Sequence, residues 1–369
     1  MRVAARPGWL LLALLGACDH SAPFAGSGHE DLDGPREPGA FARLTYNAAD
    51  DRTASWLPDG SGFLYSSEMA SPDRDRCLLQ MGANGGTVQR TTCDRRYAHD
   101  DSTDRFESPA ASAAGRLLFL RAVSTIGLQK GPRTHLLLGR LDDPVAAEPF
   151  SPVPYFAPSG RTHGYAAFPA WLGDDEFVYL GQYLWYQGST VFPDTFTTGL
   201  EVVRGTIASG VVSLAVVPGT DQASSVAAGD VPGTLIVTFG GDARVYRLDI
   251  ATGAREVLWD FGAAGIARDA SVRAGRLVAI VGRSVLYQEE DPHGFVQRDE
   301  GGDLHVVDLA TGATQVRSEA DVLFRRPALS PDGRRVVVEV SPFAPVHVGP
   351  LSDYNATNHR PDLWLLTLD

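Results

Sequence analysis

An all-β fold built from six copies of one four-stranded unit is what the sequence predicts, on three observations. A short motif recurs along the chain: small residues, an apolar residue, a tight turn, then an apolar strand. A second hairpin follows most copies. After the sixth copy a single strand remains, which leaves the last unit one strand short. Length permits one large all-β domain or two average ones and does not choose between them, and 44% hydrophobic against 21% charged residues is a globular balance.

Residues 1–17 are predicted to be an export signal. Arg2 and Arg6 precede an apolar core from Trp9 to Leu15, too short to span a membrane, and small residues follow. The string Leu15-Gly16-Ala17-Cys18 resembles the lipobox of bacterial lipoproteins, and the resemblance implies that Cys18 is lipidated and begins the mature chain. The expected location is the bacterial cell envelope, with the membrane reached through the lipid anchor and the chain facing the periplasm or the cell exterior. Asp19 resembles the inner-membrane retention signal of enteric lipoproteins; the rule is not general, so inner and outer membrane both stay open. Residues 18–40 are rich in Gly, Pro and acids without periodicity, as a flexible linker would be. The net charge of −13 becomes −15 without the two arginines of the signal, which argues against a nucleic-acid partner.

From residue 41 the repeat takes over. "DRTASWLPDGSGFLYSS" (51–67), "RFESPAASAAGRLLFLRA" (105–122), "YAAFPAWLGDDEFVYLG" (165–181), "QASSVAAGDVPGTLIVTFG" (222–240), "IARDASVRAGRLVAIVG" (266–282) and "RRPALSPDGRRVVVEV" (325–340) each read as a hairpin. "LLQMGANGGTVQRTT", "RVYRLDIATGAREVLWDF" and "DLHVVDLATGATQVRS" are the second hairpins, with a Gly-containing turn in each. Four strands in a unit of about 40 to 60 residues are the sequence form of a β-propeller blade. The strand "DLWLLTLD" at the C-terminus needs a partner, and "FARLTYN" (41–47) is a strand with no blade before it. Pairing the two closes the ring and removes both open edges. The prediction is therefore a six-bladed β-propeller over residues 41–369.

The order small residue, Trp, Leu, Pro-Asp-Gly, apolar strand, then "LLQMGANGGTVQRTT" is similar to the TolB-like propeller repeat, strongest in the first and last units. The middle units depart from it, with Ala-Ala-Gly, Gly-Asp-Asp or Val-Pro-Gly at the turn. No match exists to the separate N-terminal domain of TolB, so its role is not carried over. What the resemblance implies is a six-bladed envelope scaffold, often used for binding.

In "CLLQMGANGGTVQRTTC", a loop of Asn84, Gly85 and Gly86 would put Cys77 opposite Cys93. An oxidising compartment would let them close a disulfide; otherwise they are two buried thiols.

The first-to-second and third-to-fourth turns are short throughout. Length variation falls in residues 93–104, 122–134, 148–165, 182–199, 283–302 and 341–361, which share the opposite face and mark it as the working face. Tyr155, Phe156, Tyr183, Trp185, Tyr186, Phe192 and Phe196 lie there and are the candidate ligand-binding residues, because aromatics with polar tips favour interfaces and sugar platforms. No Gly-x-Ser-x-Gly elbow is present, the nine histidines show no metal spacing, and the acids near residues 100 and 290 lack calcium-loop spacing. Neither a catalytic residue nor a cofactor nor a metal site is expected. The sequence thus predicts a non-enzymatic scaffold for an envelope protein or glycan. The alternative is a propeller hydrolase or lyase with a site assembled from loop acids and histidines in the propeller mouth.

Overall fold

The computed structural model describes residues 37–46, 50–68, 77–93, 102–125, 133–143, 148–149, 161–188, 193–282, 285–286, 297–298, 302–319, 322–342 and 361–369. After β1 (Phe41–Arg43), blade 1 is β2 (Asp51–Trp56), β3 (Gly62–Ser67), β4 (Cys77–Gly82) and β5 (Gly85–Thr92). Blade 2 is β6 (Ser102–Ala111), β7 (Arg116–Thr125), β8 (Arg133–Arg140) and β9 (Glu148–Pro149). Blade 3 is β10 (Arg161–Trp171), β11 (Glu176–Gly188), β12 (Pro193–Ala208) and β13 (Val211–Val216). Blade 4 is β14 (Ala223–Ala228), β15 (Thr234–Phe239), β16 (Arg244–Asp249) and β17 (Arg255–Asp260). Blade 5 takes β18 (Ile266–Arg273) and β19 (Arg276–Gly282), sets aside a small pair of β20 (Val285–Leu286) and β21 (Gln297–Arg298), and resumes with β22 (Asp303–Asp308) and β23 (Thr314–Arg317). Blade 6 is β24 (Val322–Leu329), β25 (Arg335–Pro342) and β26 (Asp362–Thr367), with β1 as its fourth strand. Every pairing is antiparallel, as in a chain of hairpins. Among the described residues no helix is long and apolar enough to cross a membrane.

The short turns are held by their own side chains. In the twin Asp-x-Ala-Thr-Gly turns, Asp249 Oδ1 accepts from Thr252 N–H (2.8 Å) and Asp308 Oδ1 accepts from Thr311 N–H (2.8 Å). The glycine that follows each threonine takes positive φ, 72° at Gly253 and 74° at Gly312, which is why glycine stands there. Asp332 Oδ1 in the last Pro-Asp-Gly turn accepts from Ser330 Oγ (2.5 Å) and Arg334 N–H (3.1 Å).

The apolar core is divided into six wedges, one between each pair of neighbouring blades. Strand β25 shows why. Val336, Val338 and Val340 face blade 5, while Val337 faces blade 1. A strand covered on both faces has no polar side to show, and this explains the unbroken valine run in the sixth repeat. β3 behaves alike, sending Phe63 and Tyr65 to one wedge and Leu64 to the next. Tryptophans fasten two of the seams: Trp56 Nε1 donates to Ala328 O (2.8 Å) and Trp171 Nε1 to Ala110 O (2.9 Å), each on the adjoining blade.

The ring closes as the sequence predicts. β1 pairs with β26 in the register Phe41↔Leu366, Ala42↔Leu365 and Arg43↔Trp364. The Phe41 ring packs on Trp364 (4.8 Å between centroids) and Phe324 (6.0 Å), with Arg317 above it. Arg43 adds a 2.6 Å ion pair to Asp362. Cys77 and Cys93 are joined, closing the second hairpin of blade 1. Their turn differs in detail from expectation: Gly82 pairs with Gly85, so Ala83 and Asn84 form the tip, and bulges farther along realign the cysteines.

One expected connection is a strand pair instead. Residues 182–188 and 193–199 extend the ladder between β11 and β12 as far as Gly188↔Pro193, with Tyr186 opposite Phe196. Alternating aromatic and β-branched residues favour paired strands over an irregular loop.

Two outcomes test this closure and clamp. Phe41→Ala, which strips the ring contacts of a three-residue strand, lowers unfolding free energy in urea by about 2 kcal/mol. Replacing both Cys77 and Cys93 with serine frees a loop of 16 residues and costs about 3 kcal/mol in the same assay, with the six-bladed fold retained.

Candidate functional site

The innermost strand of every blade carries the same irregularity. Register shifts fall between Arg52 and Ser55, Glu107 and Ala110, Ala167 and Ala170, Ala223 and Ser225, Arg268 and Ser271, and Arg325 and Ala328. In five blades two residues bulge out of the ladder, and the first has positive φ: Thr53 (54°), Ser108 (51°), Phe168 (51°), Asp269 (48°) and Arg326 (46°). Blade 4 skips a single residue, Ser224, and has its positive φ at Gln222 (66°). Left-handed backbone costs a non-glycine residue about 1 to 2 kcal/mol, yet none of the five is glycine. In blades 2, 3 and 6 the next residue is Pro109, Pro169 or Pro327, whose missing N–H costs nothing inside a bulge.

A bulge leaves a backbone N–H without a ladder partner, and in three blades a neighbouring blade supplies one. Thr53 N–H donates to Glu339 Oε1 (2.6 Å), Ser108 N–H to Thr53 Oγ1 (3.0 Å), and Arg326 N–H to Asp269 Oδ2 (3.1 Å). Thr53 Oγ1 also lies 3.0 Å from Ser66 Oγ. These bonds link blades 5 and 6, 6 and 1, and 1 and 2, so the bulges are stitched around the axis.

The bulged residues line an axial channel. One part, a cavity of about 170 Å³, is bounded by Thr53, Ser108, Phe168, Ser225, Asp269 and Arg326. A second part, about 420 Å³, lies toward the short turns by Trp56, Trp171 and Pro331. The two adjoin, sharing Pro169, Ser271, Arg273 and Pro327 in their walls. Arg326 reaches across the axis, its guanidinium carbon 5.9 Å from the Phe168 ring centroid on the opposite blade. It also stands 3.8 Å from Glu339, which is 2% exposed.

Both signs of charge are held there. Burial pushes the Asp269 carboxyl above the usual carboxylate range, against the pull of Arg326 beside it. Burial likewise lowers the Arg273 guanidinium, whose Nη1 donates to Ala228 O (3.1 Å) and Val272 O (2.8 Å). Carboxylates, guanidinium groups, hydroxyls and one aromatic face suit recognition of a polar ligand by several distinct contacts.

The side chains of the aromatic residues picked from sequence are not among those described. Tyr155, Phe156, Phe192 and Cys18 lie outside the described residues. Tyr183, Trp185, Tyr186 and Phe196 sit on the backbone of the β11–β12 extension, and their side chains lie outside what is described. His305 of blade 5 packs edge-on against Phe261, which lies in the connection from blade 4, and burial lowers its pKa. Among the described residues no group of three His, Cys, Asp or Glu is placed to hold a metal ion. Sequence reading missed Thr53, Ser108, Phe168, Asp269 and Arg326. Their signal is the repeat itself: each stands just before the Pro or Ala that opens the small-residue stretch of its unit.

No protein-family model matches the chain, and no curated protein matches it. Solved structures do resemble it. A protein of unknown function from Dyadobacter fermentans aligns over 90% of this chain and 99% of its own, with 12% identity and a TM-score of 0.52. TolB from Acinetobacter baumannii aligns over 86% of this chain with 14% identity and a TM-score of 0.46, and this chain spans 63% of its length. A putative TolB from Agrobacterium tumefaciens aligns over 83% and 97% of the two chains, with 14% identity and a TM-score of 0.46. The chain is a six-bladed β-propeller, and TolB proteins are among the structures it resembles.

Proposed function

We propose that this chain is an envelope-anchored, non-enzymatic binding scaffold that takes a protein or glycan partner through its long-connection face and the channel mouth. The lipobox-like Leu15 to Cys18 supports the anchor. The observation that carries the binding reading is the axial ring. Five blades hold a strained backbone position in nearly the same conformation while its side chain differs in every one: Thr53, Ser108, Phe168, Asp269 and Arg326. A purely structural bulge would be served by glycine throughout, whereas diverse side chains on a fixed backbone make a specific surface. The β11–β12 extension adds a long, aromatic-rich pair to the working face.

The test is a crosslinking capture from native envelopes with Cys18 intact, read by mass spectrometry. A form with residues 182–199 replaced by a short turn, and a second form carrying Phe168→Ala, serve as comparisons. A specific partner enriched by the full chain and reduced about tenfold or more by either form supports the scaffold. Equal capture by all three forms would sink it.

Asp269→Asn probes the same ring without removing an acceptor for Arg326 N–H. A carboxyl whose pKa is raised by folding binds more protons folded than unfolded, so its cost is absent at low pH and grows as pH rises past about 3.9. The variant therefore melts higher than the parent at pH 7, and the difference fades as pH falls toward 4, as thermal unfolding across a pH series would show. An enzyme using Asp269 would trade that gain for lost turnover.

A further inference from the structure

Strand β13 is the outer edge of blade 3. Its bonds to β12 determine which of its groups point away. Val217 N–H donates to Val202 O, Ile207 N–H turns the other way to Asp175 O, and the register runs Arg204↔Ala215, Thr206↔Ser213 and Ala208↔Val211. Val211, Ser213 and Ala215 therefore face β12. The N–H and C=O of Val212, Leu214 and Val216 face outward, with no partner for them among the described residues.

Outer strands are where sheets pair by accident, and the other blades are protected. β5 carries Arg90, two glycines and bulges. β9 is two residues long and ends in Pro149. β17 carries Arg255, Glu256 and Asp260. β23 is four residues ending in Arg317, and β1 is three residues ending in Arg43. β13 has six residues, none charged, with Val211 67% and Val216 47% exposed. From Ser209 to Thr220 there is no charged residue at all, in a chain of net charge −13.

We propose that β13 pairs antiparallel with β13 of a second copy of this chain, about a two-fold axis through Leu214. In that register Leu214 meets Leu214 and Val212 meets Val216 of the second copy, in both directions. Each copy brings three residues with an outward N–H and C=O, and all of them bond. Two blades become one continuous sheet, with Val212, Leu214 and Val216 of both copies forming an apolar stripe on one face. The charge pattern selects a second copy as the occupant: elsewhere two such acidic surfaces repel, and here they meet without charge. Because β13 is the one unprotected outer blade strand among the described residues, pairing through it stops at two.

Sedimentation velocity of the full chain from about 1 µM to about 1 mM tests this. The expected result is a monomer–dimer equilibrium. Val216→Pro deletes an outward donor and leaves the ladder to β12 intact, so dimerisation weakens about tenfold or more while the melting temperature holds. Should that variant misfold, Ser213→Lys, which sets two like charges at diagonal positions beside the axis, each opposite Ala215 of the other copy, reads the same effect on an exposed side chain. A parent chain that stays monomeric throughout, or folded variants that dimerise as the parent does, overturns the proposal. Register is read by oxidation: Leu214→Cys crosslinks to itself and Val216→Cys does not, and the reverse pattern overturns the two-fold axis proposed here.

Discussion

Burial of each blade's second strand on both faces is the constraint from which the rest of the structure follows. β3, β15 and β25 send alternate side chains into different wedges, so no blade owns its core. A single blade would expose two apolar faces, and a row of blades would expose one at each end. Only a closed ring covers every face. The tryptophan bonds from Trp56 and Trp171, and the clasp of β1 on β26, all act at seams between blades, where this requirement is met.

The same arrangement creates the axial site. Six sheets meeting around an axis bring their inner strands close, and a bulge in each one turns backbone and side chain toward the middle. The left-handed residues are unfavourable alone. They persist because packing on both sides leaves the strand no other path, and because Glu339, Thr53 and Asp269 bond the N–H groups that the bulges release. Stability resides in the wedges and chemical variety at the axis. At Phe168, whose side chain accepts none of these bonds, the side chain can change without disturbing the ladder that holds it.

What was legible in the sequence was local. The Asp-x-Ala-Thr-Gly and Pro-Asp-Gly turns, the valine run of β25 and the spare strand at residue 41 each carry their meaning within a few residues, and together they specify six blades and a closed ring. In the β11–β12 extension, length variation points to a connection while the alternation of Tyr183 and Trp185 is equally that of a continuing strand, and only the register decides for the strand. The axial ring was not legible in any one repeat. Thr53 is bonded to Glu339 across 286 positions of sequence, and Arg326 and Phe168 meet because their blades stand opposite. Only superposing the six copies exposes the position, and only the closed ring shows that it faces inward.

The clasp between β1 and β26 also sets a timetable. The strand made first pairs with the strand made last, so Phe41, Ala42 and Arg43 have no sheet to join until Leu363 to Leu366 exist. Throughout synthesis the growing array has an uncovered wedge at its leading edge and an unclaimed strand behind it. Local hairpins can form as they emerge, whereas the final contact joins the most distant segments of the chain and is the slow one. Until β26 is in place the wedge faces beside β1 stay uncovered, and closing the ring covers them, whereas the outer edge of β13 stays open after closure.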